Sequence, residues 1–377
     1  MTLRVEELVQ QIHDALGQIV LVLTGGSRAV AELLEVPGGS RTLLEASVPY
    51  SEASLCAWLG SRPEQFCSPR AARAMAVVAF GRATRYGAAE QQAAGVSCTA
   101  GLVTDRPKRG PHRAHVAVQT ANRTRCWSLE LEKDARSRPQ EEQIVSRMVL
   151  NAVAAGCDVE NQLDLSLSEE EQVTFEEATA PVSWRELFLG RVEVIGADDT
   201  IGPPRPGPRA ILSGAFNPLH VGHCRMAEIV EQSLGLPTAM EISILNVDKP
   251  VLDYLEIRRR LGQFPSEQTV WLSRAATFED KSRLFPGATF VVGVDTLRRI
   301  ADPRYYGNDR NTMLQSLRRI LGRDCRFLVF GRAVGSSFIR LADLELPDEL
   351  RRACSEVPPE KFREDVSSTA LRKAGAW

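Results

Sequence analysis

The chain has 377 residues, a length that predicts two domains of ordinary size. Hydrophobic residues make up 44% of it and charged residues 25%, so each half can bury its own core without disulfides or a structural metal. The formal net charge of −2 excludes a polybasic protein that coats nucleic acid through bulk charge. No stretch approaches the ~20 consecutive apolar residues of a membrane-spanning helix. We therefore expect neither a nucleic-acid partner nor a membrane partner.

The start of the chain and its cysteines indicate a compartment. The first residues carry carboxylates where a secretion signal would have its apolar core. The eight cysteines are scattered singly, and they form neither a C-x-x-C pair nor a Cys/His set at zinc-ligand spacing. These features predict a reduced, cytoplasmic protein with no metal site built from its own side chains.

Strands and helices alternate along the first half. A continuous apolar run over residues 19–23 predicts a strand that ends at a Thr-Gly-Gly turn. A helix is predicted over residues 69–87, where a serine N-cap and a proline begin the helical pattern. Another helix is predicted over residues 139–156, because it starts acidic and stops at a glycine. Residues 1–162 are therefore predicted to form an α/β domain.

The composition changes between residues 163 and 207. This segment begins with an acidic run and ends in a stretch with four prolines between residues 203 and 208. Prolines at this density block both helix and sheet. Because an apolar stretch follows at once, we predict a linker that leads into the first strand of a second domain, residues 208–377.

Short apolar strands separated by amphipathic helices follow one another through the second half. This rhythm predicts a Rossmann-like, mostly parallel sheet with helices on both faces. Such sheets bind ligands at the carboxyl ends of their strands, where the strand order reverses. In chain order, the predicted strands span residues 209–216, 240–247, 269–273, 288–294 and 324–331.

The first junction between strand and helix in this half reads S-G-A-F-N-P-L-H-V-G-H, residues 213–223. A glycine directly after a buried strand allows a phosphate to approach the backbone, and the following helix points its free N–H groups at that phosphate. His220 and His223 can reach into the same space, and the whole chain has only five histidines. A purely structural role as helix caps accounts less well for the coincidence of these features.

A second motif, D-V-S-S-T-A-L-R, occupies residues 365–372. Hydroxyl groups at a helix N-terminus, with an arginine one turn later, make a cradle for a polyphosphate. S-S-T alone is merely a good N-cap, but the first motif upstream makes phosphate binding the stronger interpretation.

Three weaker signals follow other predicted strands. Gly293 and Asp295 lie at a strand end in V-G-V-D-T-L, where the aspartate equally suits a helix N-cap. Lys249 follows the second strand and is a candidate for an acceptor phosphate, with a solvated loop lysine as the alternative. Arg332, after the fifth strand, is a similar candidate.

G-A-F-N-P-L-H-V-G-H closely resembles the G-x-F-[DN]-P-x-H-x-G-H signature of the nucleotidyltransferase superfamily, which includes adenylyltransferases and cytidylyltransferases. The G-x-D-x-L and S-S-T-x-x-R segments are similar to further motifs of that superfamily, and the resemblance covers residues 208–377. It implies that His220 and His223 are catalytic and that Lys249 binds the acceptor. The nucleotide-binding residues that it implies are Gly214, Ala215, Phe216, Asn217, Gly222, Gly293, Asp295, Ser367, Ser368, Thr369 and Arg372.

The resemblance implies a reaction without a covalent intermediate. A phosphate on the acceptor attacks the α-phosphorus of a nucleoside triphosphate in line, and pyrophosphate leaves. The protein supplies donors where negative charge accumulates. Mg²⁺ is expected to travel with the triphosphate, held mainly by its oxygens and by water.

The resemblance favours ATP as the donor and nicotinamide mononucleotide as the acceptor, and so a role in NAD biosynthesis. Asn217 and the S-S-T-x-x-R ending are the features that favour this branch. Two alternatives stay open: a cytidylyltransferase that acts on a small phosphorylated alcohol or sugar, and a non-catalytic nucleotide sensor. The intact H-x-G-H and S-S-T-x-x-R motifs argue against the sensor.

Several first-half motifs, beginning with Thr24-Gly25-Gly26, resemble those of the CinA-type nicotinamide mononucleotide deamidase domain over residues 5–160. The family's catalytic serine aligns with Val22, and its lysine aligns with Leu55. Without a hydroxyl and a basic partner there is no nucleophilic route to the amide. We therefore expect a degenerate CinA-like domain. Phosphate binding through Thr24, Ser27 and the glycines, and a homo-oligomer formed through this domain, stay open.

Overall fold

The computed structural model describes residues 3–105, 109–204, 209–246, 251–334, 337–363 and 371. The chain divides into two units. The first comprises Met1–Arg185 with Asp248–Ile257, and the second comprises Glu186–Val247 with Arg258–Trp377. None of the helices in the described part of the chain combines the length and the apolar character that crossing a bilayer requires.

The first unit contains a mixed sheet of six strands in the order β2-β1-β3-β4-β5-β6. The strands are β1 (Gln18–Leu23), β2 (Leu43–Ser47), β3 (Ala93–Gly101), β4 (His112–Thr120), β5 (Arg123–Leu131) and β6 (Val173–Thr179). β1 pairs in parallel with β2 and β3, whereas β3 to β6 pair antiparallel. The predicted α/β class of this half is confirmed.

Helices cover the sheet of the first unit. They are α1 (Val5–Asp14), α2 (Arg28–Glu35), α3 (Gly39–Thr42), α4 (Glu52–Leu59), α5 (Pro69–Arg85), α6 (Arg138–Gly156) and α7 (Val182–Phe188). The division between the two units falls within α7. On one face, Val96 and Val116 pack with Val149 of α6 in the main apolar core. On the opposite face α5 lies so close to Gly95 that a Cβ there would be 2.0 Å from the Ala76 carbonyl oxygen.

A short segment from the second half of the sequence belongs to the first unit. Tyr254 is fully buried there, and its hydroxyl donates to the Ala121 carbonyl at 2.7 Å. Arg73 and Asp253 form a buried ion pair at 3.0 Å. The aromatic ring and the paired charges explain why residues 251–257 pack with this unit.

The structure draws the domain boundary differently from the predicted linker at 163–207. The acidic run contains β6, which pairs with β5 from Leu129–Val173 to Arg123–Thr179. Phe175 of β6 packs its ring 5.2 Å from that of Trp127. This segment is therefore the edge strand of the first sheet, and its charged residues suit an exposed edge.

The second unit contains a sheet of seven strands in the order β15-β12-β11-β8-β9-β10-β7 and a separate hairpin of β13 and β14. In chain order the strands are β7 (Val194–Gly196), β8 (Arg209–Ser213), β9 (Thr238–Ser243), β10 (Val270–Ser273), β11 (Ala288–Gly293), β12 (Arg326–Phe330), β13 (Arg332–Val334), β14 (Ser337–Ile339) and β15 (Cys354–Glu356). Within the described residues of the large sheet, β7 and β10 pair antiparallel, and the other neighbouring strands pair in parallel. The predicted Rossmann-like, mostly parallel sheet is confirmed.

The helices of the second unit connect these strands. They are α8 (Val221–Leu234), α9 (Tyr254–Leu261, of which residues 258–261 belong to this unit), α10 (Phe278–Leu284), α11 (Val294–Ile300), α12 (Arg310–Leu321) and α13 (Asp348–Arg352), with 3-10 helices at Pro303–Tyr306 and Leu341–Asp343. Phe278 of α10 packs edge-on against Phe290 of β11, with 5.3 Å between the ring centres. Aromatic rings thus contribute to this core.

The order of the strands defines where this sheet can bind a ligand. β8 is the first parallel strand of the sheet in the chain, with β9 on one side and β11 on the other. The strand order therefore reverses between β8 and β11, and the carboxyl ends of these two strands lie side by side. Parallel sheets of this kind bind their ligands at such a point.

Candidate functional site

Residues 214–220, which we call the signature loop, connect β8 to α8. The Gly214 amide donates to the Glu241 carbonyl of β9 at 3.0 Å, which continues the strand contact by one residue. A Cβ at Gly214 would lie 2.9 Å from the ring of Phe216. Phe216 is buried and has a φ of +43°, in the left-handed region that residues with a side chain seldom adopt. The loop therefore turns sharply and needs a glycine at its start.

The structure brings the two predicted histidines together at the start of α8. His220 is the N-cap and His223 lies in the first turn, where Gly222 is buried. The two imidazole rings stack with 3.8 Å between their centres and 26° between their planes. The ring of Phe216 meets His223 edge-on at 5.0 Å. The two histidines thus pack against each other, and the ring of Phe216 contacts the pair at His223.

The surroundings of His223 determine its charge and its tautomer. Burial, with a smaller contribution from His220, lowers the pKa of His223 from its ordinary value to about 3. The His220 amide donates to Nδ1 of His223 at 3.3 Å, so Nδ1 must carry a lone pair. The ring is therefore neutral at pH 7, and its proton is on Nε2, which can donate to a ligand oxygen.

Two arginines from the last turn of α9 bind the signature loop. Arg259 Nη2 donates to the side-chain oxygen of Asn217 at 2.6 Å. Arg260 Nη1 donates to the Ala215 carbonyl at 2.9 Å. Guanidinium groups remain charged at every accessible pH, so they place positive charge beside the loop. Neither arginine was predicted as a site residue, because the arginine run is part of a helical pattern that does not reveal what its side chains bind.

Gln263, two residues after α9, also binds the signature loop. Its Nε2 donates to the Phe216 carbonyl at 2.9 Å, and its Oε1 accepts from the Leu219 amide at 2.7 Å. We call Arg259, Arg260 and Gln263 the loop clamp. The sequence carried no signal for these residues, because arginines in the last turn of a helix are common for the stability of the helix itself.

A buried ion pair lies beside the start of the loop. Glu241 of β9 is fully buried, and its Oε2 is 2.5 Å from Lys281 Nζ of α10. Ser273 Oγ of β10 donates to the other carboxylate oxygen at 2.5 Å. Breaking such a pair by removing one partner costs about 3–5 kcal/mol, since the other charge stays buried. This network secures the strand whose carbonyl receives the Gly214 amide.

The G-x-D-x-L segment reaches the same edge of the sheet. Gly293 ends β11, and a Cβ there would meet no atom within 4 Å, so the space beside it is open. Asp295 forms an ion pair with Arg332, and both side chains are about half exposed. The structure thus pairs two residues that the sequence analysis had identified separately.

Five of the predicted site residues of this half lie in segments that the structure does not describe. Lys249, Ser367, Ser368, Thr369 and Arg372 lie outside the described residues.

The corresponding turn of the first unit has a different chemistry. Val22 is buried in β1 and Leu55 is buried on α4, at the positions that align with the CinA-type serine and lysine. The amide and the hydroxyl of Ser27 both donate to one carboxylate oxygen of Glu142, at 2.7 and 3.1 Å. An internal carboxylate therefore occupies the Ser27 donors that the sequence offered to a phosphate.

Comparison with known protein families finds a match for most of the second unit. The family model described as Cytidylyltransferase-like matches residues 211–374. Residues 211–374 are similar to a cytidylyltransferase-like domain. The resemblance of this half to the nucleotidyltransferase superfamily is thereby confirmed at the level of the family.

Solved structures of CinA-superfamily proteins align with the N-terminal part of the chain. The competence/damage inducible protein CihA from Agrobacterium tumefaciens is 22% identical, with a TM-score of 0.33, and the alignment covers 41% of this chain and 99% of that one. A CinA-superfamily protein from Klebsiella pneumoniae is 16% identical, with a TM-score of 0.32 and coverages of 41% and 97%. The competence or damage-inducible protein from Enterobacter asburiae is 17% identical, with a TM-score of 0.32 and coverages of 41% and 98%. No curated protein matches the chain.

Proposed function

We propose that the second unit transfers an adenylyl group from ATP to a phosphorylated acceptor such as nicotinamide mononucleotide, with release of pyrophosphate. The stacked pair of His220 and His223 carries this proposal, because it stands at a helix N-terminus directly after the glycine turn of β8. This position is also the edge where the strand order reverses. We propose that this activity serves NAD biosynthesis. We also propose that the protein acts in the cytoplasm.

The proposed chemistry needs fixed hydrogen-bond donors rather than a nucleophilic side chain. A phosphate oxygen of the acceptor attacks the α-phosphorus, the bond to the bridging oxygen breaks, and pyrophosphate leaves with the bonding electrons. Negative charge grows on the oxygens around the α-phosphorus. The Nε2–H of His223 donates to one of these oxygens, and the charges of Arg259 and Arg260 raise the local positive potential.

The other predicted residues take supporting roles in this proposal. Ser367, Ser368, Thr369 and Arg372 hold the β- and γ-phosphates of the donor, and Lys249 holds the phosphate of the acceptor. Gly293 and Asp295 meet the ribose of the nucleotide. Because Asp295 is paired with Arg332, a ribose hydroxyl that binds this carboxylate shares it with the guanidinium.

Mg²⁺ fits this site as an ion that is carried by the substrate. Among the residues that the structure describes, no three His, Cys, Asp or Glu side chains come together in a way that could hold a metal ion. Mg²⁺ keeps several of its waters and commonly binds phosphates of the substrate rather than an all-protein cage. We propose that it enters with the triphosphate and neutralises part of its charge, while the histidines donate to the phosphate oxygens and the clamp orients the loop.

A second candidate is cytidylyl transfer to a small phosphorylated alcohol or sugar. The description of the matched family model, Cytidylyltransferase-like, favours it. The two candidates share the signature loop and differ in the base of the donor and in the acceptor.

A pyrophosphate-release assay on the full-length protein with Mg²⁺ distinguishes them. ATP and CTP are each combined with nicotinamide mononucleotide, glycerol 3-phosphate and ribose 5-phosphate, and the His223→Ala variant controls for contaminating activity. Release with ATP and nicotinamide mononucleotide is the expected result. Release with CTP and either of the other acceptors would replace the first candidate by the second. Binding of a triphosphate without release from any pair would support the nucleotide sensor instead.

A further inference from the structure

The signature loop contains backbone groups that regular secondary structure does not satisfy. The carbonyl groups of Ala215 and Phe216 and the amide of Leu219 lie between the end of β8 and the start of α8. Backbone polar groups of a partly buried loop must find partners, or their desolvation destabilises the fold. Here the partners are side chains of the loop clamp.

Gln263 differs from the two arginines because it binds both arms of the loop. Its Nε2 donates to the carbonyl of Phe216, before the turn, and its Oε1 accepts from the amide of Leu219, after the turn. A primary amide has a donor and an acceptor on one planar group. Leucine provides neither of them, and an ionised glutamate provides only the acceptor.

The conformation that Gln263 holds is a strained one. Phe216 has a left-handed φ of +43°, a conformation that costs free energy for a residue with a bulky side chain. Strained residues persist only when their surroundings over-determine them. The carbonyl of Phe216 is bound by Gln263, and its ring is held edge-on by Phe264 at 5.2 Å. Two consecutive residues after α9 therefore fix the backbone and the side chain of Phe216.

The ring of Phe216 transmits this restraint to the histidines. It contacts His223 at 5.0 Å, and His223 in turn stacks on His220 at 3.8 Å. A shift of the Phe216 backbone would move the ring on which the histidine pair rests.

We propose that Gln263 is a positioning residue, which holds the signature loop in the conformation that aims the His220–His223 pair at the reacting phosphates. The proposal rests on the transferase activity proposed above. Loss of the glutamine amide releases both arms of the loop, so the histidines sample other positions. Misplacement of a reacting group by about 1 Å can lower turnover about a hundredfold.

The experiment compares Gln263→Leu with Gln263→Glu, which keeps the acceptor for Leu219, and with the matched control Gln268→Leu. The Nε2 of Gln268 donates at 2.8 Å to the Thr238 carbonyl at the start of β9, the end of that strand opposite the loop. Turnover and KM come from pyrophosphate release, and hydrogen exchange of peptides that span residues 213–223 reports on the loop. For Gln263→Leu we expect turnover to fall about ten- to a hundredfold with KM within about threefold. Loop exchange should rise about tenfold or more, Gln263→Glu should give smaller changes, and Gln268→Leu should change neither quantity.

The two measurements separate the possible failures. Faster loop exchange with unchanged turnover would overturn the positioning role, and unchanged loop exchange would overturn the clamp itself. If the wild-type protein releases no pyrophosphate, the proposed function fails, while the exchange of Gln263→Leu still tests whether the glutamine holds the loop. If Gln263→Leu loosens the whole unit, hydrogen exchange rises in all peptides of that unit. In that case the proposal is decided by Gln263→Glu, from its turnover and from the hydrogen exchange of its loop peptides.

Discussion

The two units each contain a strand that ends in a glycine turn and leads into a helix. In the first unit β1 is followed by residues 24–27 and α2, and in the second β8 is followed by the signature loop and α8. Both strands have parallel neighbours on each side. What differs is the group that stabilises each turn. The first turn is bound by the carboxylate of Glu142, and the second by two guanidinium groups and an amide.

This difference decides which of the two turns can receive an anionic ligand. A carboxylate on the amide and hydroxyl of Ser27 satisfies the donors that a phosphate would use. In the second unit Arg259 and Arg260 donate to oxygen atoms of the loop, so they add positive charge and consume none of its amides. The neutral Gln263 donates to one loop carbonyl and accepts from the amide of Leu219. One common turn thus serves as a structural element in the first unit, and as the proposed phosphate site in the second.

The largest effect that tests this contrast is expected for His223→Ala. Removal of one donor to the charge that develops in the transition state lowers turnover about a hundred- to a thousandfold. Affinity for the triphosphate should stay within about tenfold, because the donor matters most in the transition state. Steady-state kinetics and calorimetry measure the two quantities. Turnover within a few-fold of the wild type would remove His223 from the site.

Arg372→Ala should act on binding rather than on turnover. Loss of a charge-assisted hydrogen bond to a phosphate costs about 1.5–3 kcal/mol, or about ten- to a hundredfold in triphosphate affinity. The neighbouring cation provides a control, since Lys373→Ala should change the affinity much less. Equal effects of the two variants in calorimetry would reduce the S-S-T-x-x-R segment to a helix cap.

In the first unit, Glu142→Ala should destabilise the turn and leave the second unit unchanged. The variant removes two hydrogen bonds from Ser27 to a carboxylate near the start of α2, and water replaces them in part. We expect a loss of about 1–2 kcal/mol, read from hydrogen exchange of peptides that cover β1 and α2. Glu169→Ala, at an exposed position, is the matched control. An equal loss in both variants would show that the Ser27–Glu142 contact contributes nothing specific.

Acidification should also lower the stability of the first unit. Burial, together with the nearby Arg113, lowers the pKa of His115 to about 4, so the folded first unit keeps this ring neutral below the pH at which the unfolded chain protonates it. The unfolded state then binds more protons, and the stability of the first unit falls as the pH decreases from 6.5 toward 4. His115→Gln should flatten this dependence in denaturant titrations that follow the first unit. An unchanged slope would show that other groups cause it.

The last prediction concerns deamidase activity, which we expect to be absent. The full-length protein should release no ammonia from nicotinamide mononucleotide, because Val22 and Leu55 offer neither a nucleophile nor a base. The control is heat-treated protein. Ammonia release above that background, abolished by Ser27→Ala or Thr24→Ala, would show that a deamidase site persists at a shifted position.

Local patterns were sufficient for much of the fold and for the centre of the candidate site. The strand at β1 and the parallel strands β8, β10, β11 and β12 are mainly apolar runs, which are typical of buried strands. The H-x-G-H motif places His220 and His223 on one turn of helix through their spacing alone, and the stacked rings follow from it. These features depend on neighbours in the chain, so the sequence by itself determined them.

Only the tertiary structure decided which distant segments serve these local elements. The segment at residues 163–207 has the composition of a linker, and it contains β6 because β5 provides a strand with which β6 pairs. Gln263 binds a loop 44 residues earlier, and Glu142 binds Ser27 across 115 residues. A glutamine or a glutamate has no pattern that reveals its partner, since a hydrogen bond depends on where the folded chain brings two groups together. The opposite chemistry of the two turns is therefore a property of the packed units and not of their similar local sequences.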